Sequence, residues 1–355
     1  MPRKFYTLQM LRGLAALSVC WAHFLSIKIE VKPIFATIYT FSGPFVRYGV
    51  DLFFVISGFV IALNVLENHE KASFKEGLKF LIKRIFRIYP LFWVTMIFII
   101  ILFHCNGIKT AGLHKIENIS HFFLLTTDMP LQNAAWTLPF EQYFYLVMFC
   151  FICLFPRKLL LPFFIIWAIL HLVILYAYVE HRIHHVPFFL GDNQIFNFFF
   201  GLCVAYIFFK IKKHTVMDKY IALCLGILIG GTGFILTYKK LYGLHFNEWA
   251  NLFYNGLSPA LILYGCIGLE MSNHIQVANL LKKLGDVSYS IYLWHCPILY
   301  IFITFYQLRF FSNATHPFLQ IAVELILVLI VSFYSYNWIE RPFIHLSNRI
   351  VRKWL

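Results

Sequence analysis

Arg12 and His23 stand eleven positions apart inside one apolar run, MLRGLAALSVCWAHF. On a helix, eleven steps bring two side chains to within about 20° of one face, roughly 16 Å apart along the axis. Ionisable groups inside a bilayer are costly and ordinarily face an interior cavity, so each is a functional candidate. A neutral imidazole can take a proton from a hydroxyl, and a carboxylate can orient it while it does so. Three carboxylates fall within apolar runs: Asp51 in GVDLFFVISGF, Glu141 in WTLPFEQYFYL and Glu324 in AVELILVLI. A further histidine, His295, precedes Pro297 by two positions, and the proline should free a backbone carbonyl toward the interior. Lys83, Arg84 and Arg87 crowd into about one turn of FKEGLKFLIKRIFR (74–87), which is either a headgroup-binding helix or a site for a phosphorylated ligand. Each feature also has a structural reading. A buried Arg can bridge helices, a His can be a satisfied polar contact, and a carboxylate can cap a helix or pair with Arg47. Glu324 reads best as a residue that bridges helices.

The elements that must position these groups are membrane spans. Of 355 residues, 60% are hydrophobic, 13% are charged and 41 are phenylalanine. That is about half the charged share of a soluble domain. Apolar runs of about twenty residues, each long enough to cross ~30 Å of hydrocarbon, recur at 6–27, 43–66, 87–104, 135–155, 159–178, 193–210, 218–237, 248–269, 285–307 and 317–338. The expectation is an all-α membrane protein, a bundle of about ten transmembrane helices forming a single domain over 1–355, with no appended soluble domain. The longest gap, 105–134, leaves room for a short surface helix near Leu113–Leu125.

The net charge of +14 follows the rule that basic residues collect in cytoplasmic loops, and no nucleic-acid-binding motif accompanies it. With the N-terminus in the cytoplasm, 20 Lys and Arg lie on the inner side and 9 on the outer, Arg12 being inside a span. Both termini are therefore expected in the cytoplasm. This orientation puts Arg12 in the inner half of its span and His23 in the outer third. Asp51 and Glu141 then lie ~8–12 Å below the outer surface, a depth similar to that of His23. The first run has no small-residue cleavage site and is read as a span rather than a signal peptide. Cys150-x-x-Cys153 has redox spacing but sits inside a span, where ordinary packing explains it. His181, His184 and His185 have helical metal-binding spacing without a carboxylate partner, so no metal site is expected.

Taken together, these residues resemble the acyltransferase-3 family, polytopic enzymes that modify bacterial surface glycans. Arg12 and His23 match its Arg, ten residues, His signature, and GVDLFFVISGF at 49–59 matches its second-span signature. Arg84-x-x-Arg87 before Tyr89-Pro90, WTLPFEQYFYL at 136–146, SYSIYLWHCPI at 288–298 and Glu340-Arg341-Pro342-Phe343 follow in the family's order. The Thr-Leu-Pro-Phe stretch before Glu141 departs mildly from the usual serine-led version.

The resemblance implies acetyl-CoA or another acyl-CoA as cytoplasmic co-substrate, and a sugar hydroxyl on a surface or lipid-linked glycan as acceptor. It implies no permanently bound cofactor. Lipopolysaccharide O-antigen is the first acceptor expected, then exopolysaccharide or an oligosaccharide signal, with the protein a stand-alone form in the bacterial inner membrane among its lipids. Lys83, Arg84 and Arg87 would hold the donor phosphates and Arg12 its buried part. His23 would act as general base, with Asp51 or Glu141 orienting it, and Trp136, Tyr289 and His295 would extend the pocket. Transfer through an acyl-histidine is the rival route. The residues alone also fit a secondary transporter of a glycan precursor or proton-coupled solute, which uses the same intramembrane groups. An envelope sensor or scaffold would leave the aligned polar stripe unexplained.

Overall fold

A computed structural model describes residues 5–27, 33–105, 123–124, 132–180, 182, 187, 189–211, 215–240, 252–307 and 317–354. The surface helix expected around Leu113–Leu125 falls almost wholly outside these residues, and the His181, His184 and His185 cluster lies outside them. The described residues are helical and contain no strand. In order, the helices are α1 (Tyr6–Ile27), α2 (Pro33–Asn68), α3 (Phe74–Cys105), α4 (Leu138–Leu154), α5 (Leu160–Val179) and α6 (Phe196–Lys210). They continue as α7 (Val216–Lys240), α8 (Ser258–Met271), α9 (Asn279–Asp286), α10 (Ser288–Gln307), α11 (Pro317–Ser335) and α12 (Arg341–Trp354).

Among the described residues, eight helices are long and apolar enough to cross a membrane, or nine if the bent pair Asn279–Asp286 and Ser288–Thr304 counts as one span. The predicted span at 248–269 is shorter in its described part: a π-helical turn, Phe253–Leu257, leads into α8. The predicted ten and the observed eight or nine describe the same all-α polytopic membrane protein.

The burial pattern is that of a membrane protein. On α5, Ile165, Ile166, Ile169, Leu170 and Val173 are exposed, while His171 is buried. Elsewhere Asp51, Thr95, Gln132, Asn197, His295 and Glu324 are buried, and Phe318, Leu319, Ile326 and Phe333 on α11 face outward. Apolar side chains outward and polar ones inward satisfy a hydrocarbon solvent, where unpaired polar groups are expensive.

The chain forms two compact units. Unit 1 comprises Met1–Ala15, Pro44–Gly77 and Tyr143–Asp286, and unit 2 comprises Ala16–Gly43, Leu78–Gln142 and Val287–Leu355. In unit 1, α7 packs extensively on α8, and the carboxylate of Glu270 at the end of α8 caps α1. It accepts from the Tyr6 N–H at 2.7 Å, the Thr7 N–H at 2.8 Å and the Thr7 hydroxyl at 2.6 Å. A helix start exposes unpaired N–H groups and a partial positive charge, which an anion satisfies. Glu270→Ala should therefore lower the melting temperature of the purified protein through a loss of about 1–3 kcal/mol, with Glu270→Gln recovering part of it. An unchanged melting temperature in the alanine variant would show that the cap carries no stability.

In unit 2, α10 packs along α11. Ser290 donates to Glu340 Oε2 at 2.9 Å and the Trp294 indole donates to Ser335 at 2.9 Å. Glu340 is buried at the end of a π-helical turn, Tyr336–Glu340. The Glu-Arg-Pro-Phe motif thus locks α10 to the end of α11. From there α12 follows, amphipathic and outside the predicted spans.

Candidate active site

Two polar clusters emerge, one in each unit. The cluster of unit 2 centres on His23. Helix α1 runs unbroken through both Arg12 and His23, so the periodicity behind the predicted stripe holds. His23 Nδ1 lies 2.9 Å from the Val19 carbonyl one turn earlier. A carbonyl only accepts, so Nδ1 carries the proton and Nε2 is left as the basic nitrogen. The ring is therefore oriented by its own helix, where the sequence leads one to expect Asp51 or Glu141.

His295 is fully buried and its ring lies 5.0 Å from that of His23, tilted by 43°. Its Nδ1 donates to the Tyr292 carbonyl at 2.7 Å, which likewise leaves Nε2 as acceptor, 3.5 Å from the Cys296 sulfur. Two imidazoles thus lie side by side, each with the same tautomer. The buried Tyr292 lies beside them, its ring 5.8 Å from His295. The Tyr292 hydroxyl donates to the Ala134 carbonyl at 2.7 Å and accepts from Thr137 at 3.0 Å. Glu141, on the first turn of α4, interacts electrostatically with Tyr292 and so joins this cluster. Trp136 sits on the 3-10 turn Asn133–Thr137 with its ring edge-on to Phe140. Tyr289 donates to the Ile88 carbonyl at 2.9 Å.

Pro297 has the expected consequence. Without an N–H, it cannot pair with the Leu293 carbonyl four residues earlier. The Gln132 amide takes that role at 2.8 Å, while its oxygen accepts from Thr95 at 2.9 Å. Gln132 is fully buried. It ties α3, the 3-10 turn and α10 together one residue-pair away from His295, and nothing in the local sequence around it points to that role.

The cluster of unit 1 centres on Asp51, fully buried on α2. Asn197 Nδ2 donates to its Oδ1 at 2.7 Å. Arg47, one turn nearer the start of the span, donates to Asn193 Oδ1 at 3.2 Å, and Asp192 accepts from the Gln194 N–H at 2.8 Å. Arg47 and Asp192 act electrostatically on the Asp51 carboxylate, and the Gln194 side chain hydrogen-bonds it. Asn193, Gln194 and Asn197 escape the sequence reading, although polar residues at four of the six positions 192–197, where a span begins, are the signal that could have revealed them.

His171 also escapes it. A histidine within LLPFFIIWAILHLVILYAYV carries the same flag as His23. Its Nδ1 donates to the Trp167 carbonyl at 2.9 Å and its Nε2 accepts from Tyr143 at 3.0 Å, so both nitrogens serve packing.

Of the predicted donor residues, Lys83 is exposed on α3, while Arg84 and Arg87 are partly buried; the Arg84 guanidinium lies 5.2 Å over the Phe80 ring. Arg12 is partly buried on α1 in unit 1.

Residues 5–337 match the family model described as an acyltransferase domain. The chain is 26% identical to the peptidoglycan O-acetyltransferase OatA of Listeria monocytogenes over 324 residues, 83% of this chain and 50% of that protein. It is 27% identical to the O-acetyltransferase OatA of Staphylococcus aureus over 332 residues, 85% of this chain and 53% of that protein. It is 23% identical to the putative peptidoglycan O-acetyltransferase YrhL of Bacillus subtilis over 337 residues, 85% of this chain and 50% of that protein. The chain thus spans about half the length of these curated relatives. No solved structure matches it. With the motifs in order, the paired histidines inside the spans and a model match over nearly its whole length, the chain belongs to the acyltransferase-3 family.

Proposed function

We propose that this protein is a membrane O-acyltransferase that moves an acetyl group from acetyl-CoA, on the cytoplasmic side of the bacterial inner membrane, to a sugar hydroxyl of an envelope glycan. The observation that carries the proposal is His23: an imidazole inside a span, held by its own helix with Nε2 as the base, in a chain matched to acyltransferases over residues 5–337.

The chemistry follows from that nitrogen. His23 Nε2 takes the proton of the attacking hydroxyl as the oxygen bonds to the thioester carbonyl. Collapse of the tetrahedral species breaks the carbon–sulfur bond and releases coenzyme A, which takes up a proton. His295 lies beside His23, its ring 5.0 Å away, and completes the pair of imidazoles at this point of the span. Glu141, acting through the Tyr292 cluster, favours the imidazolium formed during transfer. Lys83, Arg84 and Arg87 hold the donor phosphates by charge-assisted hydrogen bonds, and Arg12 meets its buried arm. Both termini then lie in the cytoplasm. Two of the three relatives, those of Listeria monocytogenes and Bacillus subtilis, are named for peptidoglycan, so peptidoglycan replaces lipopolysaccharide O-antigen as the first acceptor to test.

Purified protein in proteoliposomes, given labelled acetyl-CoA and peptidoglycan fragments, should release coenzyme A and label the glycan. A transporter would move solute without thioester loss, and that result would overturn the proposal. Arg84→Ala with Arg87→Ala should raise the apparent KM for acetyl-CoA about tenfold or more while kcat changes less. An unchanged KM would remove these arginines from the donor site.

A further inference from the structure

Helix α12, RPFIHLSNRIVRKW, carries Arg341, His345, Arg349, Arg352 and Lys353 and no acidic residue. At 100° per residue these side chains fall within one arc of about 120°, and Leu346, Phe343 and Trp354 follow within the next ~100°. All of them are exposed. The third side of the helix, with Ser347 and Val351, is buried. Phe343 also meets the Phe86 ring of α3 at 6.4 Å, which seats the helix within unit 2. The cationic and apolar sides adjoin, with Lys353 Nζ lying 5.2 Å over the Trp354 ring.

What covers those two sides follows from length. The end of α11, the π-helical turn and α12 continue one helical run, Phe318–Trp354, of 37 residues. At 1.5 Å per residue that is about 55 Å, against ~30 Å of hydrocarbon. Counted from Phe318, the hydrocarbon is crossed after about twenty residues, near Trp338. Trp338 is exposed, with its ring 5.2 Å from that of the exposed Tyr334. Trp and Tyr gather at the boundary between membrane and water, so α12 begins where the headgroups are. A soluble phosphate fits this surface poorly. Arg341 and Lys353 are about 18 Å apart along the axis, too far for one phosphate to bridge, and a soluble phosphate leaves the apolar side uncovered. A row of anionic headgroups satisfies both sides: its phosphates meet the cations, and the boundary with the acyl chains takes Phe343, Leu346 and Trp354.

We propose that α12 is a binding surface for anionic phospholipid headgroups, with Arg349, Arg352 and Lys353 as its principal contacts. This role goes beyond acyl transfer and requires neither the donor nor the acceptor assignment.

Hydrogen exchange on the full chain in nanodiscs tests it. Amide exchange across 341–354 should be about tenfold slower in phosphatidylcholine containing phosphatidylglycerol than in phosphatidylcholine alone, and added salt should shrink the difference. Arg349→Gln with Arg352→Gln and Lys353→Gln should abolish it. Arg349→Lys with Arg352→Lys keeps the charge and should preserve it. Lys283→Gln removes an exposed cation of α9 and should leave it unchanged. Native mass spectrometry should find more phosphatidylglycerol retained on the wild type than on the glutamine variant. Equal exchange in the two lipids overturns the proposal, as does a difference that survives the glutamine variant or that Lys283→Gln removes equally. Equal protection by soluble polyglutamate in phosphatidylcholine nanodiscs would make α12 a general polyanion surface and overturn its assignment to lipid. Neither measurement reads coenzyme A release, so failure here leaves the acyl-transfer reading standing, and failure of acyl transfer leaves this surface standing.

Discussion

Replacing His23 with alanine should reduce kcat for acetyl transfer by about 10²–10⁴-fold, the usual contribution of a positioned general base. The KM for acetyl-CoA should move little, because the ring's work falls in the transition state. The structure narrows the expectation further. The Val19 carbonyl accepts the Nδ1 proton at 2.9 Å, so one nitrogen anchors the ring and the other is left for the proposed chemistry. His23→Asn presents a polar group of similar reach but no titratable base, and should be as inactive as alanine. His295→Ala should cost less than His23→Ala, since on the proposed mechanism the fully buried His295 only positions the neighbouring His23 ring. The readout is coenzyme A release by purified, correctly inserted protein. Activity in His23→Ala within threefold of wild type would remove His23 as the base and leave the pair a packing feature. Trapping a labelled histidine adduct after incubation without acceptor would instead support the acyl-histidine route.

What was legible in the sequence follows from the solvent. A bilayer demands long apolar runs, so spans can be read from composition, and it penalises ionisable groups, so Arg12, His23, Asp51, Glu141 and His295 announce themselves. Spacing within one helix was legible too, because α1 is continuous. Pairings between elements were not. Gln132 matters because Pro297, far along the chain, frees the Leu293 carbonyl, and no local pattern around Gln132 records that. The ring partner of His23 is another histidine rather than a carboxylate, a result of how α1 meets α10 within unit 2. Asn193, Gln194 and Asn197 stand in sequence at a loop-to-span junction, and only the packing of α2 brings Asp51 to Asn197. Helix α12 is too short and too charged to register as a span, and its spacing of cations and apolar residues describes an amphipathic helix that buries only Ser347 and Val351.

The position of Asp51 depends on a backbone crossing, and disrupting that crossing should have the largest effect on stability. Asp51, Phe54, Val55 and Gly58 follow at helical spacing on one face of α2, against Asn197, Phe198 and Gly201 of α6. The Phe54 and Phe198 rings are 4.8 Å apart. At the closest approach there is only backbone: a Cβ on Gly58 would collide with the Phe198 carbonyl, and one on Gly201 with the Val55 carbonyl, 2.7 Å from the Phe59 nitrogen. Small residues at such crossings let membrane helices pack closely, the main source of their association in lipid. Backbone cannot yield as a side-chain tip can, so Gly201→Ala should cost at least the ~1–3 kcal/mol of an overpacked core. Gly201→Val should abolish recovery of monodisperse protein. Whatever folds of Gly201→Ala should also lose the 2.7 Å Asn197–Asp51 bond, because the helices must part where that bond spans them. Gly231 on α7 is the control, since a Cβ there meets nothing within 4 Å. Gly231→Ala should hold or gain stability by up to about 1 kcal/mol from helix propensity. Thermal unfolding followed by fluorescence size-exclusion separates the two. If both alanine variants melt together, the α2–α6 crossing is looser than the structure shows, and Asp51 is held by its hydrogen bonds alone.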